Sequence, residues 1–331
     1  MSCPTPRYVE SPEFLITTSR IISLFTIPIN LLTCYIILFH TPQSMKRMRK
    51  TLLNAQIWAS ISDFAIGTLT VPFLFFPFHA GVPNGLLNYL GVSARVQSYL
   101  ASCMISQVGA CVVLVLEAQQ KWICGQNSIM HNQTLRGIAL FVDYTISFFF
   151  LFPMYWNVPD QTATKLKFME SHPCVNPILL DNSVYSACDN LLLVSICYLS
   201  CLLLFLPQGL MYLINSIYHL YMSTSRIKVS SATRNAQKTF FVAVFLQVGL
   251  PIVFLAIPVN YFVFSMSTGH YDQALNNFAF LLLSAHGCFN SICTLLIYEK
   301  YRTFVKRKLL CYDCGPKVTA ASNTGLHLNN I

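Results

Sequence analysis

The sequence predicts an all-α membrane protein: a seven-transmembrane helix bundle with its N-terminus outside, its C-terminus cytoplasmic and a short amphipathic helix after the seventh span. Three observations predict it. Seven apolar stretches are each long enough to cross a bilayer, whose ~30 Å core takes about 20 residues of helix. Apolar residues make up 54% of the chain and charged residues only 10%, against roughly 25% charged in a soluble domain. Basic residues gather on alternate sides of the stretches.

The stretches are Ile21–Phe39, Leu52–Phe78, Val96–Leu116, Ile138–Tyr155, Leu191–Ile217, Thr239–Phe264 and Phe278–Tyr298. Lipid offers backbone groups no hydrogen-bond partner, so each is expected to be a helix. Three regions follow: an extracellular segment 1–20, a membrane domain 21–298, and a cytoplasmic region 299–331.

Of the 21 Lys and Arg, only Arg7, Arg20, Arg95, Lys165 and Lys167 fall on the N-terminal side of the bundle. Basic loops stay cytoplasmic, which sets the orientation. The net charge of +9 then reads as contact with anionic lipid, and nucleic acid is not expected as a partner. Residues 1–20 lack the apolar run of a cleavable signal peptide, so the first helix is expected to serve as its own uncleaved signal.

Thirteen cysteines are present, most of them inside predicted helices, where they behave as small apolar residues. Cys174 with Cys188 would close a short loop outside the fourth and fifth helices. Cys311 and Cys314 resemble half a zinc site, but no second pair completes four ligands. No metal and no cofactor is expected.

The connection Trp156–Asn190 is the longest, and its Pro159, Pro173 and Pro177 argue against a long helix. After the seventh span, Glu299–Leu310 alternates basic and apolar residues. Tyr301, Phe304 and Val305 can form one face and Lys306–Lys308 can reach phosphates, which suits a helix lying on the inner surface. Residues from Gly315 on are polar and read as disordered. Prolines punctuate most spans. Pro251 and Pro258 give the sixth helix two sites for a bend. No internal repeat of the kind that builds many transporters is visible.

Polar residues at membrane depth normally face protein or a water-filled cavity. Asp63 lies ~18 Å along the second helix from Thr51 at 1.5 Å per residue, near mid-membrane. Two readings stand: a hub that changes partners between two states, or a fixed structural bond. Asn30, Asn54, Ser284 and Asn290 are its candidate partners. Asp143 lies nearer the edge of the fourth helix. Glu117 ends the third helix, with Lys121 at the i, i+4 position of a surface pair; a sharper reading is a charge that holds the inner ends of two helices together. His286, Gln107 and Gln247 also lie within spans. Zinc-protease, nucleophile-elbow and phosphate-loop patterns are all missing, so no enzyme is expected. The triplet Asn132-Gln133-Thr134 falls in an inner loop.

A family resemblance narrows this. The chain resembles the nematode serpentine chemoreceptors of class H along nearly its whole length, and so a G-protein-coupled receptor. The resemblance rests on Ile27-Pro28-Ile29-Asn30, Thr41-Pro42-Gln43-Ser44-Met45-Lys46 and Leu52-Leu53-Asn54. It continues through Trp58, Asp63, Val71-Pro72-Phe73, Asp160-Gln161 and Pro173-Cys174. Gln237-Lys238-Thr239-Phe240, the Gln247, Pro251, Pro258 spacing, Tyr271–Asn277 and Ser284-Ala285-His286-Gly287 complete it. It implies a multi-pass plasma-membrane receptor of sensory-neuron cilia that reads small molecules and signals through a heterotrimeric G protein. The family tends to have an acid, a small polar residue and then an arginine after the third helix; here the run is Glu117-Ala118-Gln119-Gln120-Lys121, without the basic partner at the expected place. Two features usual in rhodopsin-like receptors are also missing, a cysteine at the outer end of the third helix and a proline after Asn290, where Ser291 stands, so those receptors' disulfide and switch residues are not carried over.

The expected ligand contacts lie in the outer halves of helices three, five, six and seven: Tyr99, Gln107, Tyr198, Tyr261, Gln273, Asn277 and Phe280. The expected polar core is Asp63, Asn30, Asn54, Glu117 and Asn290. Lys46, Arg47, Arg226, Lys228, Arg234 and Lys238 are expected to face the G protein, with lipid as their other contact. The rival reading is a transporter or channel for a small solute, which requires a continuous polar lining.

Overall fold

A computed structural model describes residues 5–41, 43, 46–125, 128–129, 131–222 and 231–308. Helices α1 (Pro12–His40), α2 (Arg49–Phe64) and α4 (Ala94–Cys124) form the first three spans, with the one-turn α3 (Leu86–Tyr89) before the third. Helices α5 (Gln133–Phe149) and α6 (Phe152–Trp156) make the fourth, α8 (Leu191–Ile217) the fifth and α9 (Ser231–Thr268) the sixth. Helices α10 (Gln273–Ser284) and α11 (His286–Ile297) make the seventh. Among the described residues, α1, α4, α5 with α6, and α8 are each long and apolar enough to cross a membrane, and the bent pair α10/α11 makes a further span. Helix α2 is shorter and carries Asn54, Gln56 and Asp63 on its inner face.

Side-chain caps start many of these helices. Ser11 Oγ accepts from Phe14 N at 3.1 Å, and Pro12 follows where its missing N–H costs nothing. Asn132 Oδ1 accepts from Thr134 N at 2.9 Å, so the Asn132-Gln133-Thr134 triplet is the start of α5. Asp160 and Asp272, both prominent in the sequence motifs, cap α7 (Gln161–Ser171) and α10. A capping oxygen satisfies a backbone N–H that the helix leaves orphaned.

Helix α4 is the hub of the bundle, with 56% of its apolar window buried against 11% for α8. It is tied to α5 by side chains that donate to carbonyls. Tyr99 Oη and Cys103 Sγ reach Phe148 O, Ser106 Oγ reaches Ser147 O, and Gln107 Nε2 reaches Tyr144 O. Such bonds suit a lipid setting, where interhelical polar contacts supplement packing. Leu24, Phe25 and Leu31 of α1 and Leu192, Leu203 and Ile214 of α8 stay exposed, as a lipid-facing surface requires.

The second span departs from the expected Leu52–Phe78. The α-helix ends at Phe64 and continues as a π turn, Ala65–Thr70. Hydroxyls of Ser19 and Ser23 donate to the Gly67 carbonyl of that turn at 2.8 and 3.1 Å. Val71, at φ 37° in the left-handed region, ends it. The chain then folds into a hairpin of β1 (Pro72–Leu74) and β2 (Ala80–Pro83), and β2 also pairs antiparallel with β3 (Tyr185–Ser186). Pro72 cannot extend a helix ladder, so the apolar run 71–78 becomes a buried strand and turn. Phe73 and Phe75 lie wholly in its core.

Gly85 closes this hairpin against the π turn. Its N–H donates to Thr70 O at 2.9 Å, and an added Cβ would stand 2.3 Å from Leu69 O and 2.4 Å from Leu69 C. Backbone atoms cannot swing aside. Gly85→Ala is therefore expected to cost about 3 kcal/mol, the upper range for overpacking, read as a lower melting temperature of the purified protein. A variant that melts with the wild type would refute this contact.

The long 157–190 connection holds an 11-residue helix, α7, despite its prolines, which flank it and do not interrupt it. At the opposite end of the bundle, α12 (Glu299–Lys308) forms as expected. Tyr301 is fully buried beneath α1, with its hydroxyl 2.8 Å from Thr41 Oγ1, and Phe304 lies against His40. Residues 309–331, and with them Cys311 and Cys314, lie outside the described residues.

Candidate functional site

Three polar constellations are built on this frame. The first joins α1, α2 and the seventh span at mid-bundle. Asp63 is 2% exposed. One carboxyl oxygen accepts from Asn30 Nδ2 at 3.2 Å. The other accepts from Gly287 N at 2.9 Å and lies 3.1 Å from His286 Nδ1. Asn30 Oδ1 in turn accepts from Ser291 Oγ, Ser291 from Gln56 Nε2, and Gln56 Oε1 from Asn290 Nδ2. Of the expected partners, Asn30 bonds Asp63 directly and Asn290 joins through Gln56. Asn54 instead donates to Tyr144 Oη at 2.5 Å, and Ser284 Oγ turns back to Leu281 O. His286 and Gly287 were not among the expected partners.

This constellation explains the break in the seventh span. In a continuous α-helix Gly287 N would donate to Leu283 O, four residues earlier. Here Gly287 N donates to Asp63, and Leu283 O faces His286 Nδ1 at 2.8 Å. The helix axis bends by 42° at this point. Only glycine allows the approach, because a Cβ on residue 287 would stand 2.6 Å from Asp63 Oδ2 and 2.8 Å from Ala59 O.

The second constellation lies toward the α12 end. Glu117 of α4, 2% exposed, pairs with Arg136 of α5 at 2.9 Å. Lys121, one turn on, is not the partner, so the expected i, i+4 pair does not form. The cation absent from the residues after Glu117 is supplied by the next helix. The second Glu117 oxygen, Oε2, is buried without a hydrogen-bond partner. Nearby, Asp143 accepts from Gln208 Nε2 at 2.8 Å, and Gln120 Nε2 donates to Asn215 Oδ1 at 2.7 Å. Asp143 thus links α5 to α8 and does not reach for the membrane surface.

The third is a cavity of about 320 Å³ at the hairpin end. Pro77, Phe78 and His79 from the β1–β2 turn line it, with Ala163, Thr164, Lys167, Phe168 and Ser171 of α7. Cys188, Asp189, Leu191, Val194 and Met266 complete the lining. Phe78 and Phe168 stack at 4.5 Å between centroids. The His79 ring, partly buried by its surface area, has Nε2 3.4 Å from Tyr198 Oη, and desolvation pushes its pKa down to about 4. It is neutral at physiological pH. Lys165 of α7 is buried, which draws its pKa below the usual lysine range, and its Nζ donates to Asp181 O at 2.7 Å.

None of the seven expected ligand contacts lines this cavity; Tyr198 stands behind it, against His79 and in the apolar cluster that includes Cys188 and Val194. The others hold the bundle together. Tyr99 and Gln107 bond α5 carbonyls, and Tyr261 Oη donates to Asp272 O at 3.1 Å. Gln273 Nε2 donates to Leu74 O and to Asn277 Oδ1, both at 3.0 Å. Asn277 Nδ2 donates to Val9 O at 2.8 Å, and Phe280 packs in the core with Phe73 and Phe75. Cys188 is a free, buried thiol while Cys174 is disulfide-bonded, so the expected Cys174–Cys188 bridge does not form. Periodicity could not reveal the cavity, because its walls come from two loops and three helices. The Asp160 cap was the one local signal that a helix would roof it.

Among the expected G-protein contacts, Lys46 and Arg47 are exposed in the turn before α2, and Lys238 lies 5.2 Å over the Tyr221 ring. Arg226 and Lys228, and the side chains of Arg234 and Pro251, lie outside the described residues. Helix α9 runs through both Pro251 and Pro258. No group of three or more metal-ligating side chains occurs among the described residues.

Known proteins share this fold. Squid rhodopsin superposes with a TM-score of 0.53 over 94% of this chain and 91% of its own, at 8% identity, which speaks to the fold alone. Serpentine receptor class H-72 of Caenorhabditis elegans is 28% identical over 309 residues, 92% of this chain and 88% of the relative. The profile of the family described as serpentine type 7TM GPCR chemoreceptor Srh matches residues 10–311. With that match spanning nearly the whole chain, the protein belongs to the Srh family of serpentine seven-transmembrane chemoreceptors.

Proposed function

We propose that this chain is a chemosensory receptor that binds a small molecule at its hairpin end and activates a heterotrimeric G protein at its α12 end. The hairpin end faces outside and the α12 end the cytoplasm, in the plasma membrane of sensory-neuron cilia. The observation that carries the reading is the family match over residues 10–311. The cavity beneath α7 supplies a place for a ligand at one end. Exposed Lys46 and Arg47 with Lys238 supply cations at the other, and Arg226, Lys228 and Arg234 extend the same basic sequence toward a G-protein subunit or anionic lipid. A ligand shifts such a bundle only by binding its two states unequally. The residues that would move are the inner ends of the third and sixth spans.

The test expresses the full chain in cells with a G-protein activation reporter and screens small molecules. A tag on each terminus reports orientation. Ligand-dependent activation with only the N-terminal tag accessible from outside is the expected result. Ligand-dependent flux without any G-protein response would establish the transporter reading instead.

A further inference from the structure

We propose that the cavity beneath α7 selects an uncharged small molecule: an aromatic or branched apolar body with one hydrogen-bonding group that meets His79. The inference rests on the receptor reading for its purpose, and on the cavity alone for its chemistry. Phe78 and Phe168 offer flat walls, and Leu191, Val194 and Met266 offer aliphatic ones. The volume, about 320 Å³, is at the small end for ligand pockets.

Charge is what the interior lacks. Lys167 and Asp189 are the charged lining residues, and both are exposed, at positions where water screens them. Lys165, the buried cation of α7, does not line the cavity, and its Nζ is committed to the Asp181 carbonyl. A carboxylate or ammonium held against the aromatic walls would give up part of its hydration, and no buried counter-charge lines the cavity to replace it. His79 can meet a hydroxyl or carbonyl, and its present contact with Tyr198 is long at 3.4 Å. The same ring stands edge-on to Phe76 at 5.5 Å, and Phe76 stacks on Phe262 of α9 at 4.3 Å. A ligand on His79 therefore presses on the fifth span through Tyr198 and on the sixth through Phe76.

Cys188 is a native reporter, being a free thiol in the lining. The full-length protein in nanodiscs would be treated with N-ethylmaleimide, and modification of Cys188 followed by site-resolved mass spectrometry. Four probes share one body: benzyl alcohol, benzoate, benzylammonium and toluene. Benzyl alcohol is expected to slow modification at a concentration about tenfold below that needed for either ion, and about fivefold below toluene, the scale of one hydrogen bond. His79→Leu should erase the advantage over toluene, and His79→Asn should keep part of it, which separates recognition from misfolding. Protection by an ion at equal or lower concentration, or by none of the four, would overturn the inference. No G-protein signal enters this readout, so the cavity's selectivity and the receptor reading fail separately.

Discussion

Asp63→Ala is expected to remove about 3–5 kcal/mol from the folded protein, the scale of breaking a buried paired acid. The side chain receives Asn30 Nδ2 and Gly287 N and faces His286 Nδ1. Alanine would leave all three without that partner at 2% exposure, in a bundle where water cannot easily replace it. Asp63→Asn keeps one carbonyl oxygen and should cost about half as much, since one acceptor is exchanged for a donor. Gly287→Ala should approach the effect of Asp63→Ala by a different route, through the 2.6 and 2.8 Å contacts of its Cβ. Melting temperature in nanodiscs and surface expression measure all three. If Asp63→Ala melts with the wild type, Asp63 does not hold the bend of the seventh span.

Arg136→Ala is expected to raise ligand-independent G-protein activation several-fold, because it leaves Glu117 buried and unpaired between α4 and α5. An uncompensated buried charge costs about 3–5 kcal/mol, and the cheapest relief is to open the two helix ends to water. Under the proposed receptor reading, freeing the inner end of the third span in this way favours the state that engages a G protein. Glu117→Ala should instead leave Arg136, which is partly exposed, free to reach solvent and so cost less. The exchange Glu117→Arg with Arg136→Glu re-forms the pair and should return basal activity toward the wild-type level. Low basal activity in Arg136→Ala, or an exchange variant as active as the single one, would remove the latch from the mechanism.

Much of the architecture was legible one segment at a time. Spans 1, 3, 4 and 5, and the bent seventh, follow from apolar length, α12 from its alternation of basic and apolar residues, and the importance of Asp63 from its depth. Where the structure adds to or differs from the sequence reading, the reasons are local. The run 71–78 is apolar enough for a span, yet Pro72 and the left-handed Val71 turn it into a strand. Tyr99, Gln107, Gln273 and Asn277 carry the hydrogen-bonding groups a ligand site needs, and each is already bonded within the bundle. Polarity marks a residue that must find a partner; it does not say whether that partner is a ligand or a neighbouring helix.

The sequence by itself determined that the chain is a helical membrane bundle, because apolar length and the demand for internal backbone hydrogen bonds are properties of each segment alone. Helix starts are encoded locally too, since Ser11, Asn132, Asp160, Asn190 and Asp272 act within three residues of themselves, although apolar length alone placed the first, fourth and seventh spans later than these caps do. Only the tertiary structure decided who pairs with whom. Asp63 meets Gly287 across 224 positions, Glu117 finds Arg136 and passes over Lys121, and Cys188 remains a thiol. These pairings depend on how helices are rotated and how loops fold over their ends, and no spacing along the chain encodes a distance across it.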